Sequence, residues 1–279
     1  MRTELLDVVR HLFQYRELLV ELTRRDLRIR YTQAVMGVVW AVLTPLVVAL
    51  SGWVIRIGIS YMSGYPLKAE EVGGIAIKAL GWSFFSGALS FGTASITANY
   101  ALVTKVYFPR QALPLSAVAT QIIDSSIGAA ALILILPFFG AKFTAALLWL
   151  PLLVFLLIGL TIGITLLASC ANVFYRDAKH VVQMIISFGI FFTPVFFNAD
   201  TFGPRGSRML MFNPLGPVLE GMRRVITEGS NLAVSAPGAS GAIGWSPWLL
   251  AWSALWAIGG TIAAAVVFQR AEMAFAEYV

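Results

Sequence analysis

The sequence predicts an all-α integral membrane fold: six transmembrane helices, an N-terminal amphipathic helix lying in the membrane interface, and short re-entrant helices between spans five and six. Two observations carry this. Of 279 residues, 58% are hydrophobic and 12% charged, against roughly 25% charged in an average soluble domain, and the mean hydropathy is +0.80. The apolar residues also gather into six runs, near 34–59, 77–101, 115–139, 146–171, 181–198 and 247–269. Each approaches the ~20 residues needed to cross roughly 30 Å of hydrocarbon.

Residues 4–22 place Leu5, Val9, Leu12, Phe13 and Leu19 at helical spacing with charges between them, the pattern of a helix lying on a membrane surface. The basic cluster Arg24, Arg25, Arg28 and Arg30 follows and is expected to meet lipid headgroups just before span one. Segment 1–33 is thereby set apart from a transmembrane domain over 34–279. No apolar core with a small-residue cleavage site precedes span one, which is expected to serve as the insertion signal. Lys and Arg number twelve in the N-terminal segment, the 102–115 and 172–182 loops and the tail, against six in the alternate loops. This bias places both termini in the cytoplasm. The net charge of +6 is thus a topology signal. The basic residues form no long run with interleaved aromatics, so no nucleic-acid partner is expected.

Span two is rich in small and hydroxylated residues: Ser83, Ser86, Gly87, Ser90, Gly92, Thr93, Ser95 and Thr97. Such a face packs against other helices in lipid, and Gly159 with Gly163 in span four repeats the spacing; lining a channel is the rival reading. Arg56 and Lys78 lie near the outer ends of their spans and are expected to snorkel. Asp124 is deeper, where an unpaired charge costs about 2.5–3.5 kcal/mol, so it must be protonated, hydrogen-bonded or facing a wet interior. The loop 199–246 holds an apolar middle, 213–226, read as a short re-entrant or surface helix with Glu220 and Arg224 paired one turn apart. A Gly/Ser/Ala-rich irregular stretch follows it.

No catalytic or metal site is expected. The two histidines, His11 and His180, fall in separate segments, Cys170 is alone, and no H-E-x-x-H, paired-cysteine or G-x-S-x-G pattern occurs. No G-x-x-x-x-G-K-[ST] loop occurs either, so this chain is not expected to bind ATP through a P-loop. An ion-coupled transporter would want several intramembrane acids, and only Asp124 qualifies. A membrane-embedded glycosyl- or acyltransferase would want an acid or histidine cluster near one interface, and none is visible.

The stretch "RDLRIRYTQAVMGVVWAVLTP", Arg25–Pro45, resembles the permease subunits of ABC-2 type polysaccharide exporters, the group of Wzm, KpsM and TarG. Arg30, Tyr31, Gly37, Trp40 and Pro45 carry the match, while Ala34 and Met36 stand where Ser and Leu are usual. Asn99 with "LVTKVYFPRQALPLS" (102–116), "YRDAKHVV" (175–182), "FFTPVFF" (191–197) and "NPLGPVLEGMRR" (213–224) continue it in order. The resemblance implies a homodimer in a bacterial inner membrane, paired with two copies of a cytoplasmic Wzt-like ATPase that binds ATP and Mg. It also implies export of a lipid-linked polysaccharide, whether O-antigen-like, capsular or teichoic acid.

Site roles follow from the same resemblance. Asn99, Lys105, Tyr107, Phe108, Pro109 and Arg110 would couple to the ATPase, with Tyr175, Arg176 and Asp177 as a smaller contact. Arg24, Arg25, Arg28, Arg30 and Tyr31 would meet the lipid carrier at entry. Trp82, Phe84, Phe85, Phe91, Phe188, Phe191, Phe192, Phe196 and Phe197 would stack on sugar rings along the path. Asn213, Pro214, Glu220 and Arg224, within 212–226, would form an outer gate. Pro109 disfavours helix at Phe108 and Pro114 can start the next helix, so a short helix over roughly 99–107 and a bent loop are expected. Burying Tyr107 or Phe108 in a partner groove would be worth roughly 1.5–3 kcal/mol, more than an exposed ion pair from Lys105 or Arg110, at about 0–1 kcal/mol.

Overall fold

The structure is a computed structural model and describes residues 15–32, 37, 39–63, 69–105, 108–199, 203–236, 244–273 and 275. Its helices in chain order are α1 (Arg16–Thr32), α2 (Val39–Ser63), α3 (Ala69–Ala98), α4 (Tyr100–Lys105), α5 (Ala112–Ile135), α6 (Leu150–Phe174), α7 (Ala178–Gly189), α8 (Gly203–Phe212), α9 (Leu215–Arg223) and α10 (Pro247–Glu272). The last contains a π-helical turn over Leu255–Gly260. Between α9 and α10, Ala236 and Trp245 pair across an isolated antiparallel bridge.

Prolines and glycines set many of these ends. Pro114 sits in the first turn of α5, Pro151 opens α6 and Pro247 opens α10, positions where the missing N–H costs nothing. α5 tightens into a 3-10 turn at Pro137 and stops at Gly140, whose φ of 77° is the left-handed region open to glycine. The expected short helix before Phe108 is present as α4. Of the predicted surface helix 4–22, residues 1–14 lie outside the described residues, and its end belongs to α1, which runs from Arg16 to Thr32. The Arg24–Arg30 stretch read as a headgroup segment is helical because its Arg and Leu residues are good helix formers.

Among the described residues, five helices are long and apolar enough to cross a membrane: Val39–Met62, Ala69–Ala98, Ala112–Phe139, Ala145–Phe174 and Pro247–Glu272. The run predicted as a sixth, 181–198, behaves differently. α7 has twelve α-helical residues and a three-residue 3-10 turn, together roughly 20 Å at 1.5 Å per residue. It ends at Thr193, extended at φ −120°, ψ 138°, because Pro194 disfavours helix in the residue before it. The apolar composition continues past the break; the helix does not.

α3 is the centre of the bundle. It packs on α5, α6 and α2 along its length and on α9 and α7 toward its start. Small residues permit this: a Cβ on Gly92 would strike the methyl of Thr165, on Gly81 a Leu219 methyl, and on Gly87 the amide of Gln121. Gly159 and Gly163 on α6 lie against Ala257 and Thr261 of α10, and the Thr261 hydroxyl donates to Gly159 O at 2.6 Å. The packing reading of these positions holds. Two apolar clusters result. The larger joins α3, α6 and α9 through Trp82, Phe85, Leu153, Leu157, Val218 and Leu219. The smaller joins Leu22 of α1, Ile96, Val103, Phe108, Leu113, Cys170, Val173, Phe268 and Phe275 at the opposite end. α2 and α7, by contrast, leave Val47, Val54, Val181, Met184 and Ile185 exposed.

Gly92→Val should destabilise the purified protein by about 1–3 kcal/mol through overpacking against α6. Ala130→Val, on the exposed face of α5, should leave the melting temperature in detergent unchanged.

Candidate functional site

The end of the bundle where α1 sits is organised around Asp124, a carboxylate on α5 that is 5% exposed. Arg30, in the last turn of α1, pairs with one of its oxygens and the Tyr31 hydroxyl donates to the other. Arg30 also donates to Gln121 Oε1 at 3.4 Å, and its guanidinium lies 4.1 Å from the centroid of the Phe91 ring on α3. One cation thus binds α1 to α5 and α3 together. One turn earlier on α1, Asp26 accepts from Ser116 at 3.2 Å and pairs with Arg25 at 2.9 Å. Arg24 and Arg28 remain exposed on the outer face. Of the three options for Asp124, the structure selects pairing, as a buried carboxylate requires.

Beneath this network, between α1, α2, α3 and α5, lies a cavity of about 680 Å³. Arg30, Tyr31, Gly37, Trp40 and Pro45, scattered over sixteen positions of sequence, all line it, and Asn99 reaches it from the end of α3. Ser83, Ser86, Ser90, Thr120 and Gln121 line it as well. α3 therefore uses small residues twice, some for helix contacts and others to hold a polar space open.

The same end carries the two loops predicted to couple. α4 and the 108–111 turn are anchored by Val103 and Phe108, which share the smaller cluster with Val173 next to the second loop. Asn172 donates to Thr97 Oγ1 at 3.1 Å, and Asn99 donates to Ser95 O at 2.7 Å. Arg110 donates through its backbone N–H to Glu272 Oε1 and through its guanidinium to Glu272 O, both at 2.8 Å. Phe108 is 7% exposed, which corrects the expectation that it docks into a partner: its ring fills this chain's own core. Pro109 and Arg110 are half-buried, and Lys105, Tyr175, Arg176 and Asp177 are exposed. Tyr107 lies outside the described residues.

At the opposite end, α9 is wedged against α3. Val218 and Leu219 are fully buried, and Glu220 gathers three cations: Arg223 at 2.6 Å, Lys78 at 3.6 Å and Arg224 at 3.6 Å. The predicted Glu220–Arg224 pair is present, but Arg223 is the closer partner. Lys78 does not snorkel. It is 1% exposed and donates to Phe197 O at 2.7 Å and Asn198 Oδ1 at 3.3 Å. The reason is that α3 begins at Ala69, eight residues before the predicted span, so Lys78 sits well inside the helix. Arg56 instead pairs with Glu71, at 2.7 Å. Burial would push the Glu220 carboxyl up, but Arg223 and Lys78 outweigh it and hold the group at about 2. Asn213 donates to Thr193 Oγ1 at 3.0 Å and accepts from the N–H of Leu215, with Pro214 capping α9.

The aromatics separate into two sets. Trp82, Phe84, Phe85 and Phe196 are buried inside the chain's own core, and Phe197 is half-buried. Phe91, Phe188, Phe191 and Phe192 are exposed, the first at the cavity and the other three on the α7 segment.

A bundle of lipid-length helices with a polar cavity at one end and an ion-paired wedge at the other is the fold of a membrane-embedded protein. More narrowly, residues 17–227 match the ABC-2 type transporter family, and the chain belongs to it. It is 27% identical over 226 residues to the O-antigen export system permease protein RfbA of Myxococcus xanthus, covering 80% of this chain and 85% of that one. Two proteins of the same name from Klebsiella pneumoniae are 25% and 24% identical, covering 76% and 77% of this chain and 81% and 82% of theirs.

Asp124→Ala should cost about 3 kcal/mol by stranding Arg30, the low end for breaking a buried pair. Arg30→Met combined with Asp124→Leu should recover most of that, read as detergent melting temperatures in a double-mutant cycle. At the other end, Glu220 contributes stability that is fully present above its ordinary value of 4.5 and is lost as pH falls toward about 2. The melting-temperature gap between wild type and Glu220→Gln should therefore hold from neutral pH down to about 4.5 and shrink below it.

Proposed function

We propose that the chain is the transmembrane permease subunit of an ATP-driven exporter that moves a lipid-linked polysaccharide, O-antigen-like in class, across a bacterial cytoplasmic membrane. It works as a homodimer with two copies of a Wzt-like cytoplasmic ATPase, which binds the ATP and Mg. Family membership and the names of the relatives support the transported class. In this reading α7 with the 193–199 segment forms the sixth crossing, both termini face the cytoplasm, and α9 with its ion pairs gates the outer side. Arg24, Arg25 and Arg28 face the headgroups of membrane lipids and of the carrier, whereas Arg30, expected to join them, turns inward to Asp124.

The observation that carries the ATPase partnership is the single face made by the two loops at the α1 end. Val103, Phe108 and Val173 fuse them from beneath, leaving Lys105, Tyr175, Arg176 and Asp177 outward. A rigid platform of that kind transmits a push from a partner into α3, α5 and α6, where a floppy loop would absorb it. Tyr175, 72% exposed, is the large apolar anchor on this face. Its burial in a partner groove is worth roughly 1.5–3 kcal/mol, whereas exposed ion pairs from Lys105 or Arg176 contribute about 0–1 kcal/mol each.

Tyr175→Ala should accordingly weaken co-purification of the ATPase more than Lys105→Ala does, with the permease still folded. Phe108→Ala should act differently, melting the permease itself by about 3–5 kcal/mol, as loss of a core aromatic does. A Tyr175→Ala, Arg176→Ala permease that holds its ATPase at wild-type stoichiometry and exports at the wild-type rate would overturn the docking face.

A further inference from the structure

We propose that the cavity under α1 is a binding site for an uncharged sugar unit of the transported polymer, an inference that rests on reading the chain as a polysaccharide permease. Three candidate ligand chemistries can be weighed against the lining. A phosphate or diphosphate would meet the carboxylates of Asp26 and Asp124 with Arg30 as the one lining cation among the described residues, and that cation is already engaged by Asp124. A lipid chain would bury hydroxyls that need partners. Ser83 and Thr120 line the cavity and are 6% and 1% exposed, and their hydroxyl oxygens have no hydrogen-bond partner among the described residues. Leaving each unsatisfied against hydrocarbon would penalise an apolar ligand. A polyol meets both demands.

The remaining wall suits such a ligand. Gln121 adds an amide with both donors and an acceptor, and Ser90 adds a hydroxyl. Phe91 and Trp40, 54% and 57% exposed, supply flat apolar faces for the C–H side of a sugar ring. The volume of about 680 Å³ falls within the 300–1,000 Å³ typical of small-molecule sites. Arg30 and Tyr31 act as positioning residues: bonded to Asp124, they hold α1 over the cavity and fix the Phe91 ring.

The test uses the full chain in a detergent without a sugar headgroup, in a Cys170→Ala background. Ser90→Cys reports on the cavity and Ser187→Cys, exposed on α7, is the control. Maleimide labelling is timed with maltose, lactose or trehalose as neutral probes and inorganic pyrophosphate as the anionic one. At ten times its dissociation constant, a disaccharide should slow labelling of Ser90→Cys about tenfold and leave Ser187→Cys unaffected. Protection should vanish in Ser83→Ala, Thr120→Val protein that elutes as wild type on gel filtration. Absence of protection by every disaccharide, protection by pyrophosphate, or protection that survives the double substitution would each overturn the site. A separate arm deletes the chain from cells and measures surface polysaccharide. If deletion abolishes it while no disaccharide protects, the site falls and the transport reading stands; if surface polysaccharide persists, the transport reading falls.

Discussion

A charge in hydrocarbon must bring its partner with it, and both ends of this bundle are arranged by that requirement. At one end Asp124 cannot remain ionised inside a helix pair without a cation, and the nearest is supplied by α1 rather than by a spanning helix. At the other, Lys78 and Glu220 pair across α3 and α9 at 3.6 Å, and Arg223 hydrogen-bonds the carboxylate. The two pairs pin the helices without a spanning length onto the bundle, α1 onto α5 and α9 onto α3. Because apolar packing gives little orientation among helices in lipid, these polar contacts settle where α1 and α9 sit.

The glycines of α3 and α6 do the complementary work. Gly81 admits Leu219 at the α9 contact and Gly92 admits Thr165 at the α6 contact, three turns apart on one face, so α3 is held close at two levels by shape alone. The cavity lies on the flank where serines replace such contacts. Close packing along part of a helix and open polar space along another part are what allow one element to be a structural axis and a binding wall at once.

Much of the architecture was legible in the sequence because membrane crossing imposes a length and composition that few other constraints mimic. The five long helices, α4, the paired Glu220 and Arg224, and the small-residue contacts could be read that way. The sixth apolar run reads as one continuous helix because hydropathy averages over Thr193 and Pro194, where the backbone is not helical. Lys78 misled because its depth depends on where α3 begins, and the acidic start at Glu70 and Glu71 resembles a loop. A lysine in one span and a glutamate in an apolar inter-span stretch were the available signal for their pairing. Phe108 looked like a docking residue because an aromatic in a polar loop can point either way, and tertiary contact with α1 and the C-terminal segment decides the direction. Ser83, Thr120 and Gln121 gave no local signal for a shared cavity; their convergence exists only once α3 and α5 are packed.

The extended residue at Thr193 also changes how movement can pass through the molecule. A continuous helix behaves as a shaft: turning one end turns the other. Where the chain is extended, that torsional coupling is lost, and α7 is joined to the bundle's far end by a non-helical strap instead, buried at Val195 and Phe196. The strap is itself moored, with Phe197 O held by Lys78 and Thr193 Oγ1 held by Asn213. α7 has no buried residues along its twelve-residue length. Val182 and Ile186 still rest on the apolar core, Trp82 lies against Gly189 and Phe191 packs edge-on to Phe196. The joint therefore redirects the chain without releasing α7 from the bundle, much as an elbow turns a pipe that stays clamped to the wall.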